Sequence, residues 1–99
     1  MTMSYKVLLS RHAQHDLEEI FSYIAADSPG NASAFIAEIE EKIFSLTTMP
    51  ERAPLIPENI IFGTRLRHLV HQKYRVIYRI QEEMVFVLRV IHGAKLLEF

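Results

Sequence analysis

The sequence predicts an α+β fold in which two helices pack on one face of an antiparallel sheet. Three features predict this class: a short alternating segment near the N-terminus, two amphipathic helical segments joined by a tight turn, and three β-prone segments after them. At 99 residues the chain is close to the common domain size and too short for two cores. Residues 1–99 are therefore predicted to form a single domain.

The chain begins with a predicted strand and a first helix. Tyr5, Val7 and Leu9 alternate with Lys6 and Leu8, as in a short strand. The serine that follows, at position 10, is a suitable N-cap for a helix that runs to about residue 26. The apolar residues of this helix recur at helical spacing: Ala13, Leu17, Ile20, Phe21 and Ile24.

A second helix follows after the short turn of residues 27–30. Ser28 is the predicted cap, Pro29 occupies the first helical position, and the helix ends at Met49 and Pro50. So short a connection predicts an antiparallel helical hairpin. The second apolar stripe consists of Ala32, Phe35, Ile36, Ile39, Ile43 and Leu46. Both stripes are interpreted as core.

The C-terminal half predicts a three-stranded meander. Pro50, Pro54 and Pro57 interrupt a non-helical connection that reaches about residue 64. Three β-prone runs then follow, over residues 65–71, 74–80 and 84–91. The order of elements is therefore strand, helix, helix, strand, strand, strand.

The last hairpin has a predicted register. A three-residue loop over residues 81–83 places Ile80 opposite Met84 and Arg75 opposite Arg89. One face is then apolar and receives the helices: Tyr74, Val76, Tyr78, Ile80, Met84, Phe86, Leu88 and Val90. The other face carries Arg75, Ile77, Arg79, Val85, Val87, Arg89 and Ile91. A slip by one residue would bury arginines, which disfavours other registers.

The net charge of −1 results from cancellation between the two halves. Residues 1–50 contain three basic and seven acidic residues, whereas residues 51–99 contain eight basic and five acidic ones. This asymmetry predicts an anionic partner for the second half, unless the cations only solvate exposed strands. The near-neutral total argues against a general nucleic-acid binder.

Three arginines gather on the helix-free face in the predicted register: Arg75, Arg79 and Arg89. Because like charges opposed on neighbouring strands repel, some anion must compensate them. That anion is either a binding partner or an acidic side chain of the same chain, the candidates being Glu58, Glu82 and Glu98.

Arg67 is predicted to have a structural role. It alternates with Leu69 on its strand, and its expected partner is Asp16 or Glu19 of the first helix.

The histidines do not predict a metal site. His68 and His71 are three residues apart on a strand and point to opposite faces, which is poor chelating geometry. His92 ends the last strand beside Gly93 and near Lys95. It is either a general acid or base or an exposed strand-end histidine. No cofactor is expected.

Cysteine is absent, which excludes disulfides, thiol catalysis and cysteine zinc sites. No apolar run approaches the ~20 residues of a membrane span, and no signal-peptide pattern is found. A cytoplasmic location without membrane partners is expected.

Several blocks together resemble a known family. In the helices they are Ala13, residues 16–20, residues 23–25, Ala34-Phe35, Ile39, Leu46 and Pro50. In the strands they are Arg67-x-Leu69, residues 74–80 and residues 87–95. Their order, spacing and total length resemble the ParE branch of the RelE/ParE toxin superfamily, from bacterial type II toxin–antitoxin modules.

The resemblance implies a toxin without enzymatic activity that inhibits DNA gyrase by binding and is neutralised by a cognate antitoxin in a hetero-oligomer. Plasmid stabilisation is an associated role, and no sequence-specific DNA binding is expected. The residues expected to contact target or antitoxin are Arg75, Arg79, Arg89, His92 and Lys95.

The alternative implied by the resemblance is a RelE-like, ribosome-dependent mRNA endoribonuclease using Arg75, His92 and Lys95. Arg75 matches an arginine of those nucleases, and their second arginine falls on Lys95. Their lysines fall on Leu66 and His68, and their C-terminal tyrosine region has no counterpart. These departures favour the ParE-like function. A module that has lost toxicity and only binds antitoxin is a third possibility.

Overall fold

The protein is described by a computed structural model that covers residues 4–97. A sheet of four strands carries two long helices on one face. In chain order the elements are β1 (Lys6–Leu9), α1 (Arg11–Ala25), α2 (Pro29–Phe44), α3 (Asn59–Phe62), β2 (Arg67–His71), β3 (Tyr74–Gln81) and β4 (Met84–His92). The strand order is β1-β4-β3-β2, with β1 parallel to β4 and the other pairs antiparallel. The predicted fold class is confirmed.

The predicted helix starts are confirmed by their caps. The Ser10 hydroxyl accepts a hydrogen bond from the Ala13 amide at 3.0 Å and donates to the Leu88 carbonyl at 2.8 Å, which ties α1 to β4. Ser28 caps α2 through the Asn31 amide. The second helix ends at Phe44, before the predicted end, and the chain continues as a short 3₁₀ turn.

The main core lies between the helices and the sheet. Its fully buried residues are Ala13, Ile39, Ile43, Leu46, Val76, Tyr78, Val85 and Val87. The largest of them, Tyr78, donates its hydroxyl hydrogen to the Pro50 carbonyl, so its one polar atom is satisfied inside the core. The helical stripes are therefore core, as predicted, with the exception of Phe21, which is exposed.

The predicted register of the last hairpin is wrong. Gln81 lies opposite Met84, so the turn has two residues, and its first, Glu82, has a positive φ of 56°. The pairing then shifts, because Leu88 is an extra residue with no partner on β3. Arg75 consequently lies opposite Ile91 rather than opposite an arginine.

The bulge at Leu88 determines which side chains of β4 face the helices. Before it, Val85 and Val87 face the helices, the reverse of the prediction; after it, Val90 and Ile91 lie on the faces that were predicted. A two-residue turn without a bulge would reverse the whole of β4. The extra residue keeps both ends of the strand apolar toward the core.

The helix-free face is partly covered by a second apolar cluster. It consists of Ile56, Leu66, Ile77, Ile91 and Leu97, with Leu88 packed against them. The covering chain comes from the proline-rich connection and from the C-terminal segment. The connection also pairs with the outer edge of β2 through a bridge between Leu55 and Arg67. It was predicted to be non-helical, but it contains the single helical turn α3.

Asn59 holds the connection in shape. Its side-chain oxygen accepts from the Leu66 amide at 2.9 Å and the Thr64 hydroxyl at 2.7 Å, and its amide donates to the Leu66 carbonyl at 2.8 Å. Gly63 ends the turn in the left-handed conformation, with φ of 64°. Between residues 4 and 97, no helix is long and apolar enough to cross a membrane.

Candidate functional site

A cleft of about 320 Å³ lies between α1 and the end of β4. It brings together three of the five residues predicted to bind a partner: Arg89, His92 and Lys95. The other residues around it are Asp16, Glu19, Ile20, Tyr23, Tyr74, Val90 and Ile91. The cleft thus combines cations with tyrosine side chains beside an acidic helix face.

Arg89 is anchored to α1 by a bidentate ion pair. Its Nε donates to one oxygen of Asp16 at 2.8 Å and its Nη2 to the other at 3.1 Å. The same carboxylate accepts the Val90 amide at 2.8 Å. Arg89 lies opposite Ile77, whose side chain is on the helix-free face, yet its guanidinium reaches Asp16 on α1. Its side chain keeps 26% exposure toward the cleft.

The predicted ion pair of Arg67 with Asp16 or Glu19 is wrong. The Arg67 guanidinium donates to the backbone carbonyls of Glu51 and Ala53, at 3.1 and 2.6 Å. The reason is strand order: α1 packs against β4, whereas Arg67 lies on β2 at the far edge of the sheet. Arg67 has a structural role, but with other partners.

His92 and Lys95 belong to the turn that leaves β4. The Lys95 amide donates to the His92 carbonyl at 2.9 Å, and His92 Nδ1 accepts from the Ala94 amide at 3.2 Å. The His92 ring lies edge-on to Tyr74, with centroids 5.7 Å apart. Both side chains are exposed. Among residues 4–97, Lys95 forms no ion pair, so its ammonium group is free to meet an anion.

Arg75 lies behind this cleft and is buried. It is 4% exposed and forms a bidentate ion pair with Glu58, which is 3% exposed. Its Nη2 also donates to the Lys95 carbonyl at 2.9 Å. Of the acidic residues considered as internal partners, Glu58 is the one that neutralises Arg75, and Glu98 lies outside the described residues.

The ion pair between Arg75 and Glu58 contributes to two pKa shifts, those of Glu58 and His68. The hydrogen bonds from Arg75 lower the pKa of Glu58 to about 2, against the opposing effect of burial. Burial and the charge of Arg75 lower the pKa of His68. His68 Nδ1 lies 3.2 Å from a guanidinium nitrogen of Arg75, a geometry in which the neutral ring accepts. His68 faces away from His71, as predicted. The His71 ring packs on Phe35.

Arg79 is separated from the other predicted residues. It is exposed on the helix-free face, with its guanidinium 4.8 Å from the centre of the Phe86 ring. Its role in binding stays a prediction.

The cleft contains two tyrosines that the sequence interpretation did not select. Tyr23 is 77% exposed, and Tyr74 supports the His92 ring. The signal for Tyr23 was its spacing, since it lies seven residues after Asp16 and hence on the same face of α1.

A second, more apolar groove of about 560 Å³ lies along the helical hairpin next to β1. Its apolar lining residues are Leu9, Leu17, Phe21 and Ile36, and its polar ones are Gln14, Glu18, Ser22 and Glu40. The helical stripes had been assigned wholly to the core. Phe21 nevertheless keeps 39% exposure, because it lies at the border of its stripe.

Within residues 4–97, no group of three or more histidine, aspartate or glutamate side chains is placed to hold a metal ion.

The fold is shared with chains from solved toxin–antitoxin systems. A chain of the chromosomal ParDE system from P. aeruginosa superposes with a TM-score of 0.72 at 18% identity, covering 91% of this chain and 97% of that one. A chain of the RelBE2 toxin–antitoxin complex from Mycobacterium tuberculosis gives 0.65 at 28% identity, covering 94% and 95%.

The sequence places the chain within this class. Residues 7–97 match the family described as the ParE toxin of the type II toxin-antitoxin system, parDE. The chain therefore belongs to the ParE toxin family. No curated protein gives a significant match over the sequence.

Proposed function

We propose that this ParE-family toxin inhibits DNA gyrase by binding it in the bacterial cytoplasm, and that a cognate antitoxin neutralises it in a hetero-oligomeric complex. The observation that carries the choice of binding over RNA cleavage is the burial of Arg75. A nuclease needs its phosphate-binding arginine at the surface, but here both terminal nitrogens of the guanidinium are bonded inside the chain, to Glu58 and, for Nη2, also to the Lys95 carbonyl.

The described residues also lack a matched acid and base. Cleavage of RNA requires two proton-transfer groups and a cation near the developing phosphate charge. His68 is occupied by Arg75, and His92 stands at the cleft without a second titratable group in hydrogen-bond contact. A binding inhibitor needs only a shaped, charged surface, which Lys95, His92 and Arg89 supply.

The cleft suits a protein surface that carries carboxylates. The free ammonium group of Lys95 and the exposed part of Arg89 attract acidic side chains, and Tyr23 offers an aromatic contact beside them. Gyrase, as the proposed target, would present that acidic surface. The corresponding biological role is plasmid stabilisation, in which cells that have lost the plasmid are killed.

The hairpin groove suits the antitoxin. Its apolar floor accepts the stripe of an amphipathic helix, and the neighbouring edge strand β1 can accept an added strand. Because Glu18 and Glu40 line it, basic residues should flank the apolar stripe of the antitoxin helix. Acidic residues of the antitoxin would meet the cations of the cleft.

The direct test is a supercoiling assay with purified bacterial gyrase. Micromolar toxin should block supercoiling or accumulate cleaved DNA, and equimolar antitoxin from the neighbouring reading frame should reverse the effect. Unchanged supercoiling with folded toxin would count against gyrase as the target. The toxin boiled before addition is the control for contaminants.

A second candidate function is the RelE-like endoribonuclease, which the 28% identity to a chain of the RelBE2 complex favours. Primer extension on mRNA after induction of the toxin would show cuts at codon positions if this function were correct. The same experiment with Lys95→Ala separates a catalytic requirement from a general arrest of growth.

A further inference from the structure

We propose that Glu58 and Arg75 are positioning residues, which hold the C-terminal residues 93–97 so that Lys95 is presented at the cleft. This inference rests on the proposed function, in which the cleft meets the target. It gives Arg75 an indirect role, through the backbone of Lys95, in place of a direct contact with an anion.

The ion pair holds the C-terminal segment at two points. Arg75 donates to the carbonyl of Lys95 at 2.9 Å, and Glu58 accepts from the amide of Leu97 at 2.9 Å. The two attachment points lie on either side of Leu96. The Leu97 side chain is 2% exposed within the second apolar cluster, which adds a packing contact to the two hydrogen bonds.

The two elements that hold the segment are themselves rigid. Arg75 is on β3, one of the two inner strands of the sheet. Glu58 directly precedes α3. The side chain of Asn59, in α3, forms three hydrogen bonds that hold the connection in place. The C-terminal segment is thus fixed to the sheet and to the connection at the same time.

Neither positioning side chain can reach a partner. Arg75 and Glu58 are 4% and 3% exposed, whereas Lys95 is exposed and lines the cleft. Any contribution of Glu58 to target binding must therefore be indirect. Substitution of Glu58 can therefore distinguish a positioning role of Arg75 from a direct contact of Arg75 with the target.

Positioning matters because residues 93–97 follow β4 outside any helix or strand, and irregular segments are mobile unless they are held. A lysine on a mobile segment loses backbone and side-chain freedom when it binds, and this cost weakens the complex. With the segment already fixed, only the Lys95 side chain must be ordered.

The test uses Glu58→Gln in the full-length toxin. This variant retains Arg75 but replaces one carboxylate oxygen by an NH₂ group, so the single remaining oxygen cannot accept from Leu97 and from both terminal nitrogens of Arg75. We expect amide hydrogen exchange at residues 95–97 to accelerate about tenfold, and the toxin concentration for half-inhibition of gyrase to rise about tenfold, the factor expected for ordering the backbone of about one residue. If Arg75 contacts the target directly, Glu58→Gln leaves inhibition unchanged or stronger, and the proposal is overturned.

Two controls accompany this variant. Lys95→Ala should weaken inhibition without accelerating exchange, since it removes the presented group but not its support. Tyr78→Phe removes a buried hydrogen bond in the main core, so it should lower stability while leaving inhibition and the exchange at residues 95–97 unchanged. Loss of inhibition in Tyr78→Phe would indicate that general stability, and not positioning, governs the effect.

A second variant covers the case in which Glu58→Gln does not fold. Glu58→Leu with Arg75→Met removes both attachment points without leaving a buried charge. It too should accelerate exchange at residues 95–97 about tenfold, and unchanged exchange in this variant overturns the proposal.

Failure of the proposed function gives a different result. If wild-type toxin does not inhibit gyrase, the gyrase target is wrong, and the variants are compared by growth arrest on induction. Equal arrest by wild type and both variants, at equal toxin levels, then overturns the positioning role.

Discussion

The two faces of the sheet are built on different principles. The helix face is closed by apolar stripes that recur along α1 and α2, and the largest fully buried side chain of its core, Tyr78, has its hydroxyl hydrogen-bonded. The helix-free face is closed by an irregular connection and the C-terminal segment, around a buried ion pair between Arg75 and Glu58. The comparison indicates that one face supplies stability, while the other supplies a defined arrangement of the site.

Removing one partner of the buried ion pair is expected to have the largest effect on stability. Arg75→Met leaves the Glu58 carboxylate buried without its counter-charge and should lower the free energy of unfolding by about 3–5 kcal/mol. Urea unfolding at pH 7 measures this loss. The double variant that adds Glu58→Leu should recover most of it, and a double variant as unstable as the single one would contradict the assignment.

Truncation of one apolar residue on each face shows how much each cluster contributes to global stability. Ile39→Ala empties part of the main core, where Ile39 is fully buried, and should cost about 2–5 kcal/mol of global stability. Leu97→Ala should cost less in global unfolding, because the C-terminal segment can open locally. Hydrogen exchange should show faster exchange confined to residues 93–97 in Leu97→Ala. A global loss equal to that of Ile39→Ala would contradict a separable second cluster.

Acid should destabilise the helix-free face, by less than the substitutions described above. Since the folded-state pKa of Glu58 is lowered from 4.5 to about 2, its contribution to stability is complete above pH 4.5 and is lost as pH falls toward 2. The hydrogen bonds concerned are worth about 1.5–3 kcal/mol each. Unfolding measured between pH 7 and 2 should show this loss in wild type.

The matched variant Glu58→Gln should have a flatter profile over the same range of pH, since it has no carboxyl to protonate. His68 adds to the slope as pH falls through 6.5, the ordinary pKa of histidine, because its lowered pKa makes the unfolded chain the first to take up a proton. Identical profiles for wild type and Glu58→Gln would show that Glu58 does not carry the acid sensitivity.

The comparison of faces also explains what could be predicted from the sequence. The helices, their caps at Ser10 and Ser28, and the fold class follow from local periods and short-range hydrogen bonds, so they were predicted correctly. The register of β3 and β4 was not, because the two-residue turn and the bulge at Leu88 act together and have no strong local signal.

The candidate site was predicted only in part for the same reason. His92, Lys95 and Arg89 were selected and lie in one cleft, but the partner of each charge depends on how distant segments meet. Asp16 pairs with Arg89 across 73 positions of sequence, and no local pattern distinguishes that pair from one with Arg67. The burial of Arg75 depends on a connection whose prolines predicted only a non-helical path, without its contacts.

The central claim is that the toxin acts by binding gyrase through the cleft at the end of β4. It is tested most directly by gyrase supercoiling with wild type, Lys95→Ala and Lys42→Ala, the last removing an exposed cation from α2, away from the cleft. We expect wild type and Lys42→Ala to inhibit equally and Lys95→Ala to need about tenfold more protein, as for loss of one interfacial charge contact. Equal inhibition by all three, or none by folded wild type, would contradict the claim.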